Sequence, residues 1–190
     1  KEIESETKHD FQAFIQMLEE SIPDNSGRWI HYGLTSSDVL DTTLTILCKY
    51  SLKEISNYCA SCIYYINQLI NRQESGSPVL ARTHGKVAEV QKYEDVFTRW
   101  REMLRRAYDE VTKAQKSVNK GKLSGPTGNY TTNSILNENV ALNVLGLRSL
   151  KASQIIPRDI YLDYFYSILK VMLAVEKIAY DIRMYSIDGI

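Results

Sequence analysis

The side chains in this chain best suited to moving protons are its three histidines, His9, His31 and His84. An imidazole with an ordinary pKa near 6.5 can give or take a proton close to neutrality. All three fall at breaks in otherwise helical patterns, among small polar residues. His9 lies in Thr7-Lys8-His9-Asp10, His31 opens His31-Tyr32-Gly33-Leu34-Thr35-Ser36-Ser37-Asp38, and His84 lies in Arg82-Thr83-His84-Gly85. A solitary histidine is usually structural, but three of three in such company point to a site. Helix starts at these breaks would add free backbone N–H groups, which suit carboxylates and phosphates.

Other chemistries fit the spacing less well. The histidines are 22 and 53 positions apart and lack the short-range pairs of zinc sites. No G-x-S-x-G elbow supports a Ser-His-Asp hydrolase, and a helical bundle is a poor setting for one. The glycine-rich run Gly121-Lys122-Leu123-Ser124-Gly125-Pro126-Thr127-Gly128 begins with Gly-Lys, whereas a phosphate-binding P-loop ends with it and follows a strand. Cys59-x-x-Cys62 has neither a second pair nor a nearby histidine. Together with Cys48 it reads as three reduced thiols packing within a helix, in keeping with a reducing cytoplasm.

The elements that must hold these residues are helices. An amphipathic pattern over residues 11–22 (Phe11, Phe14, Ile15, Leu18, Ile22) stops at Pro23-Asp24-Asn25-Ser26-Gly27. That break separates residues 1–22, the end of an N-terminal helical region, from 23–190, a central long-helix bundle. Thr35-Ser36-Ser37-Asp38 supplies N-cap candidates, and no Gly or Pro follows until about Gln73. Leu40, Leu44, Leu47, Leu52, Ile55, Tyr58, Cys59, Ile63, Ile66, Leu69 and Ile70 recur at three- and four-residue steps, which predicts one helix of some 35 residues. After Gly76-Ser77-Pro78, residues 79–85 read as a short connection. A second long helix to about Asn119 carries Val96, Phe97, Trp100, Met103, Leu104, Ala107, Val111, Ala114 and Val118. A shorter helix near Glu138–Leu145 stops at Gly146. A third long one starts around Pro157 and still shows its period a few residues before Ile190. Three helices of about 30 residues or more make the fold all-α, an extended bundle.

Composition agrees. Nine Gly and four Pro in 190 residues are few for a many-turned β fold. The 44% hydrophobic and 24% charged residues exclude a disordered or fibrous chain. With 23 basic and 23 acidic residues, no cationic excess exists for nucleic acid. No run approaches the ~20 apolar residues needed to span a membrane. The charged, Met-less start Lys1-Glu2-Ile3-Glu4-Ser5-Glu6 reads as a chain entered partway along.

Five segments, taken in order, resemble the adenylosuccinate lyase family of the fumarase/aspartase superfamily. They are Thr7–Phe14; His31–Thr42 with its T-S-S-D; Arg82-Thr83-His84-Gly85; Gly121–Tyr130, similar to a G-K-x-S/N-G-x-x-G-x-Y loop; and Ser153–Asp159, similar to x-Q-x-x-P-R-D. The resemblance implies β-elimination of fumarate from adenylosuccinate to give AMP, and the same cleavage of a succinylated aminoimidazole carboxamide ribotide in purine biosynthesis. It implies no metal or organic cofactor, and a cytoplasmic homotetramer whose sites draw on three subunits. By the same carry-over His84 is the general acid and His9 a second catalytic group. Lys8, His9, Asp10, Thr35, Ser36 and Gln154 bind substrate, and Thr83, Lys86, Lys122, Asn129 and Arg158 are further candidates. Two positions depart from the family pattern: Lys86 stands where Gln is usual, and Val90 where Pro is frequent. The family's serine-bearing S-S-x-M-P-x-K loop, which supplies the general base, is not among these residues. The chain is therefore expected to be a central portion of the enzyme, inactive alone. Among alternatives, a carboxymuconate cycloisomerase-like member tends to read T-S-Q-D, which Ser37 opposes, and argininosuccinate lyase is Arg- and Asn-rich there. A non-catalytic helical assembly module would not need His9, His84 and T-S-S-D intact.

Overall fold

The computed structural model describes residues 2–23 and 25–187. Asp24 in the expected break, and residues 188–190 at the end of the expected bundle, lie outside the described residues. Six α-helices dominate: α1 (Glu2–Thr7), α2 (Asp10–Ser21), α3 (Ser36–Ile70), α4 (Tyr93–Ser117), α5 (Ile135–Val144) and α6 (Leu162–Tyr185). Strands β1 (Pro78–Thr83) and β2 (Lys86–Lys92) form an antiparallel hairpin, and β3 (Lys120–Gly121) pairs in parallel with β4 (Arg148–Ser149). None of these helices is long and apolar enough to cross a membrane. The all-α expectation is met, with the 35-residue α3 as its longest rod.

One expectation needs correcting. Among the described residues only α3 exceeds 30 residues: α4 has 25 and α6 has 24. The region 86–92, expected to open the second helix, is β2. Val87 and Val90 sit three apart and mimic a helical step, but Gly85 at φ 74 turns the chain back onto β1. At the other site, Arg158–Tyr161 form a 3-10 turn before α6 begins at Leu162. At the start of α3 the leucines that carry the helical period are exposed: Leu40, Leu44 and Leu47 are 54%, 42% and 58% accessible. The side chains buried there are Asp38, Asp41, Thr42 and Thr45, at steps of three, one and three. A polar stripe occupies the place of a hydrophobic one.

Contacts gather the chain into two compact units. The first holds residues 1–47 and 119–158. Phe11 and Ile15 from α2 are buried, as are Leu142, Leu147 and Ile156. Helix α5 starts with Ser134 accepting from the Asn137 N–H and ends as anticipated at Gly146. There the Leu147 N–H returns to the Leu142 carbonyl at 2.8 Å, closing a Schellman cap.

The second unit holds residues 48–118 and 159–190. Here the sequence pattern of α4 is realised nearly residue for residue: Val96, Trp100, Leu104, Ala107, Val111 and Ala114 are buried. Of these, Val96, Trp100 and Leu104 meet Ile66 of α3, Val79 of β1 and Ala174 of α6 in one cluster. Polar ties close its edges. The Trp100 indole N–H donates to Asp181 (2.9 Å), and the Gln91 amide donates to the Tyr185 hydroxyl (2.9 Å).

Cys48 and Cys59 are buried, whereas Cys62 lies on an exposed face of α3, so only two of the three thiols pack as expected. Burial pushes the thiol pKa of both Cys48 and Cys59 up, and the neighbouring Cys62 adds to the rise at Cys59. The thiolate is the reactive form. Iodoacetamide at pH 8 should therefore modify Cys62 first, with Cys48 and Cys59 reacting only on unfolding, as peptide mass spectrometry would reveal. Equal labelling of all three in the native protein would contradict this packing.

Candidate active site

In the first unit, site candidates cluster around the start of α3. Thr35 precedes the helix, and Asp38 reaches back to accept from its N–H at 2.9 Å, the carboxylate half of a capping box. The same Oδ2 accepts from the Gly125 N–H (3.0 Å), and Oδ1 is ion-paired with the Lys122 ammonium. Both side chains are fully buried. Lys122 also donates to the Gly125 carbonyl at 3.2 Å. Its backbone is held as well: the Thr42 hydroxyl donates to the Lys122 carbonyl (3.0 Å) and accepts from its N–H (3.2 Å). The ammonium of Lys122 thus faces Asp38 and the loop itself.

The far side of the glycine-rich loop closes on Glu138, which is fully buried. Its carboxylate accepts from the Leu123 N–H (2.7 Å), the Tyr130 hydroxyl (2.7 Å) and the Ser149 hydroxyl (2.6 Å). Burial, and then the hydrogen bond to Glu138, push the Tyr130 phenol pKa up, which keeps its donor proton in place. Asn129 next to it is exposed, accepting from the Thr131 hydroxyl at 2.7 Å. At Gly128 (φ 75) a side chain is excluded, because a Cβ would stand 2.0 Å from the Ala152 carbonyl oxygen.

That contact brings the loop against residues 152–158. Asp41, one turn beyond Asp38, accepts there from the Ile156 N–H (2.7 Å) and from Arg158 (2.9 Å). Ile156 is buried and Gln154 is exposed. Lys8, His9 and Asp10 are all exposed at the junction of α1 and α2. Lys8 is left-handed (φ 55), and His9 caps α2, its Nδ1 accepting from the Gln12 N–H at 3.3 Å. Phe11 just beyond packs edge-on to His31, with ring centroids 5.2 Å apart, which ties this junction to the segment leading into Thr35.

Thr83, His84 and Lys86 belong to the second unit. Thr83 and Lys86 are paired across the hairpin, so His84 and Gly85 form a two-residue loop. Their φ angles of 53° and 74° define a primed turn, which twists with the strands. His84 is exposed there and lines a cleft of about 260 Å³ with Arg82, Lys177, Tyr180 and Asp181. Lys177 is ion-paired with Asp181, and Arg82 donates to the Gly85 carbonyl at 3.3 Å. The expected helix terminus beside this histidine is absent, replaced by the hairpin. The imidazole stands on a rigid turn with cationic side chains near it.

Asp38, Asp41 and Glu138 are the residues sequence reasoning passed over. A signal was there for the two aspartates: acidic residues three apart in the first turns of a long helical pattern.

The architecture and motif order define a class. A family model described as lyase matches residues 1–188, and the chain belongs to that family. Its curated relatives include the adenylosuccinate lyases of Thermotoga maritima (34% identical over 188 residues), Bacillus subtilis (31% over 187) and Synechocystis sp. (34% over 183). Each of these comparisons covers 96% of the chain and 42% of the relative. The chain thus spans about two fifths of the length of the curated relatives it matches.

The buried pair sets a test of the framework. Removing one partner leaves an uncompensated charge, a loss of about 3–5 kcal/mol. Lys122→Met and Asp38→Leu alone should each lower the denaturation midpoint sharply, while the double variant recovers a large part of the loss. Strictly additive losses in a urea titration would mean the two charges do not depend on each other.

Proposed function

We propose that this chain carries the elimination half-site of an adenylosuccinate lyase, cleaving the C–N bond of adenylosuccinate to AMP and fumarate and treating the succinylated aminoimidazole carboxamide ribotide alike. The observation that carries the reading is the match of 96% of the chain to adenylosuccinate lyases at 28–34% identity. The geometry supports it. Taking a proton from the carbon beside a carboxylate builds a dianionic transition state that needs preorganised donors and positive charge. Thr35 and Ser36 stand at the N-terminal, positive end of α3, suited to a substrate carboxylate or phosphate. As the C–N bond breaks, its electron pair goes to the leaving nitrogen, which His84 protonates as general acid. Lys8, His9 and Asp10 contact substrate, His9 also polarising it, and Gln154 holds the succinyl or nucleotide part. Thr83, Lys86, Asn129 and Arg158 are secondary candidates. The base is assigned by resemblance to a serine-bearing loop outside these residues, and no step is derived through it.

We further propose a cytoplasmic homotetramer with shared sites. The exposed apolar residues of α6, among them Leu162, Phe165, Leu169, Met172 and Leu173, support this, since water-facing stripes of that length usually mark an interface. Sedimentation of the full-length protein should give a tetramer at micromolar concentration, and a stable monomer would remove the shared-site model.

The direct test of function is chromatographic detection of AMP and fumarate in equal amounts from adenylosuccinate and the full-length protein. His84→Asn keeps a residue that tolerates the left-handed turn but cannot deliver a proton. It should lower kcat by roughly 10²–10⁴-fold with little change in melting temperature. An unchanged kcat would remove His84 as the acid. No products from the folded wild-type protein would reject the lyase reading.

A further inference from the structure

We propose that Asp41 is the positioning residue for Gln154, an inference that rests on the lyase reading for Gln154's role in binding substrate. Gln154 sits in a stretch outside any helix or strand, between β4 and the 3-10 turn at Arg158. A binding side chain on such a stretch gains no rigidity from a ladder of its own and must borrow it. Asp41 lends it. Its side chain is 7% exposed, and its two oxygens take separate anchors: Oδ2 accepts from the Ile156 N–H at 2.7 Å and Oδ1 from the Arg158 guanidinium at 2.9 Å. Both anchors lie just beyond Gln154 in the chain, and one is a backbone group. The carboxylate therefore fixes the path of the main chain rather than one side chain. On the other flank, the backbone of Ala152 and Ser153 lies against Gly128 too closely for any Cβ. Gln154 is the exposed residue between a carboxylate clamp and a steric one.

The position of Asp41 gives the clamp its purpose. It lies three residues after Asp38, on the buried polar stripe of α3. Asp38 holds Thr35 and the glycine-rich loop, while Asp41 holds the Gln154 segment. One turn of one helix thus sets the relative placement of Thr35, Ser36 and Gln154. Arg158 acts through the same carboxylate, as the clamp's other half.

The test uses the full-length protein with Asp41→Asn, Asp41→Ala, Gln154→Ala and the double variant Asp41→Ala/Gln154→Ala. Asp41→Ala should raise KM for adenylosuccinate about tenfold, the scale of one lost hydrogen bond to a charged group, with a smaller effect on kcat. Gln154→Ala should do the same, and the double variant should stay within about twofold of the worse single one, because both changes remove one function. Asp41→Asn, which keeps an acceptor for the Ile156 N–H, should recover part of the loss. Independently of activity, hydrogen–deuterium exchange of the peptide covering 151–158 should be at least about tenfold faster in Asp41→Ala than in wild type. Additive KM effects, or unchanged exchange together with an unchanged KM, would overturn the proposal even if Asp41→Ala lowered the melting temperature. Faster exchange in Asp41→Ala, together with a wild-type protein that shows no lyase activity, would uphold the clamp and reject the lyase reading instead.

Discussion

An ammonium group with no water around it is tolerable only where a carboxylate and further acceptors surround it, and Lys122 is such a group. Asp38 opposite is itself fully buried and accepts from three donors, of which two are backbone N–H groups on different segments. Around that pair the start of α3, the glycine-rich loop and the turn before Thr35 take up fixed places. Apolar packing could have joined these segments more stably, since buried ion pairs are often replaceable by hydrophobic residues at no cost. Hydrogen bonds to a carboxylate do something packing does not. They fix direction as well as distance, which a site needs more than it needs stability.

The buried face of α3 continues this principle. Asp38, Asp41, Thr42 and Thr45 form its inward stripe in the first unit, and all four bond to segments far away in sequence or to the helix itself. Glu138 serves the outer wall of the same loop with three donors and no lysine or arginine. Nonregular segments that carry Asn129 and Gln154 are thereby made as definite as helices. The second unit achieves its order differently, with an aliphatic and aromatic cluster along α4 and a tight turn that presents His84.

The sequence was most readable where apolar periodicity and burial coincide. Helix α4 shows this, as does the length of α3, whose start and end are marked by Thr35-Ser36-Ser37-Asp38 and Gly76-Ser77-Pro78. It was least readable where one pattern has two meanings. Val87 and Val90 fit a helical step and an exposed strand equally, and only the paired left-handed angles at His84 and Gly85 decide between them. Leu40, Leu44 and Leu47 marked an apolar face of α3 that lies outward, and periodicity alone reports that a face is distinctive and not which way it points. The three histidines stood out by their chemical type, and the remaining site candidates came from the resemblance of their segments to the family's. The clamps behind them did not stand out, since Asp41 and Glu138 acquire their meaning from partners 115 and up to 15 positions away.

The apposition of Gly128 to Ala152 has a consequence for how such a chain can drift over generations. With a carbonyl oxygen where a β-carbon would have to go, the two loops share no spare volume, so any side chain at residue 128 would force the backbone at Ala152 to move. Strand β2 is the opposite case: six of its seven residues face outward within their own unit, and a new side chain there meets no neighbour that must move with it. Both departures from the family pattern, Lys86 and Val90, lie on that strand. A change at either position leaves the packing of its unit in place, whereas a side chain at Gly128 does not.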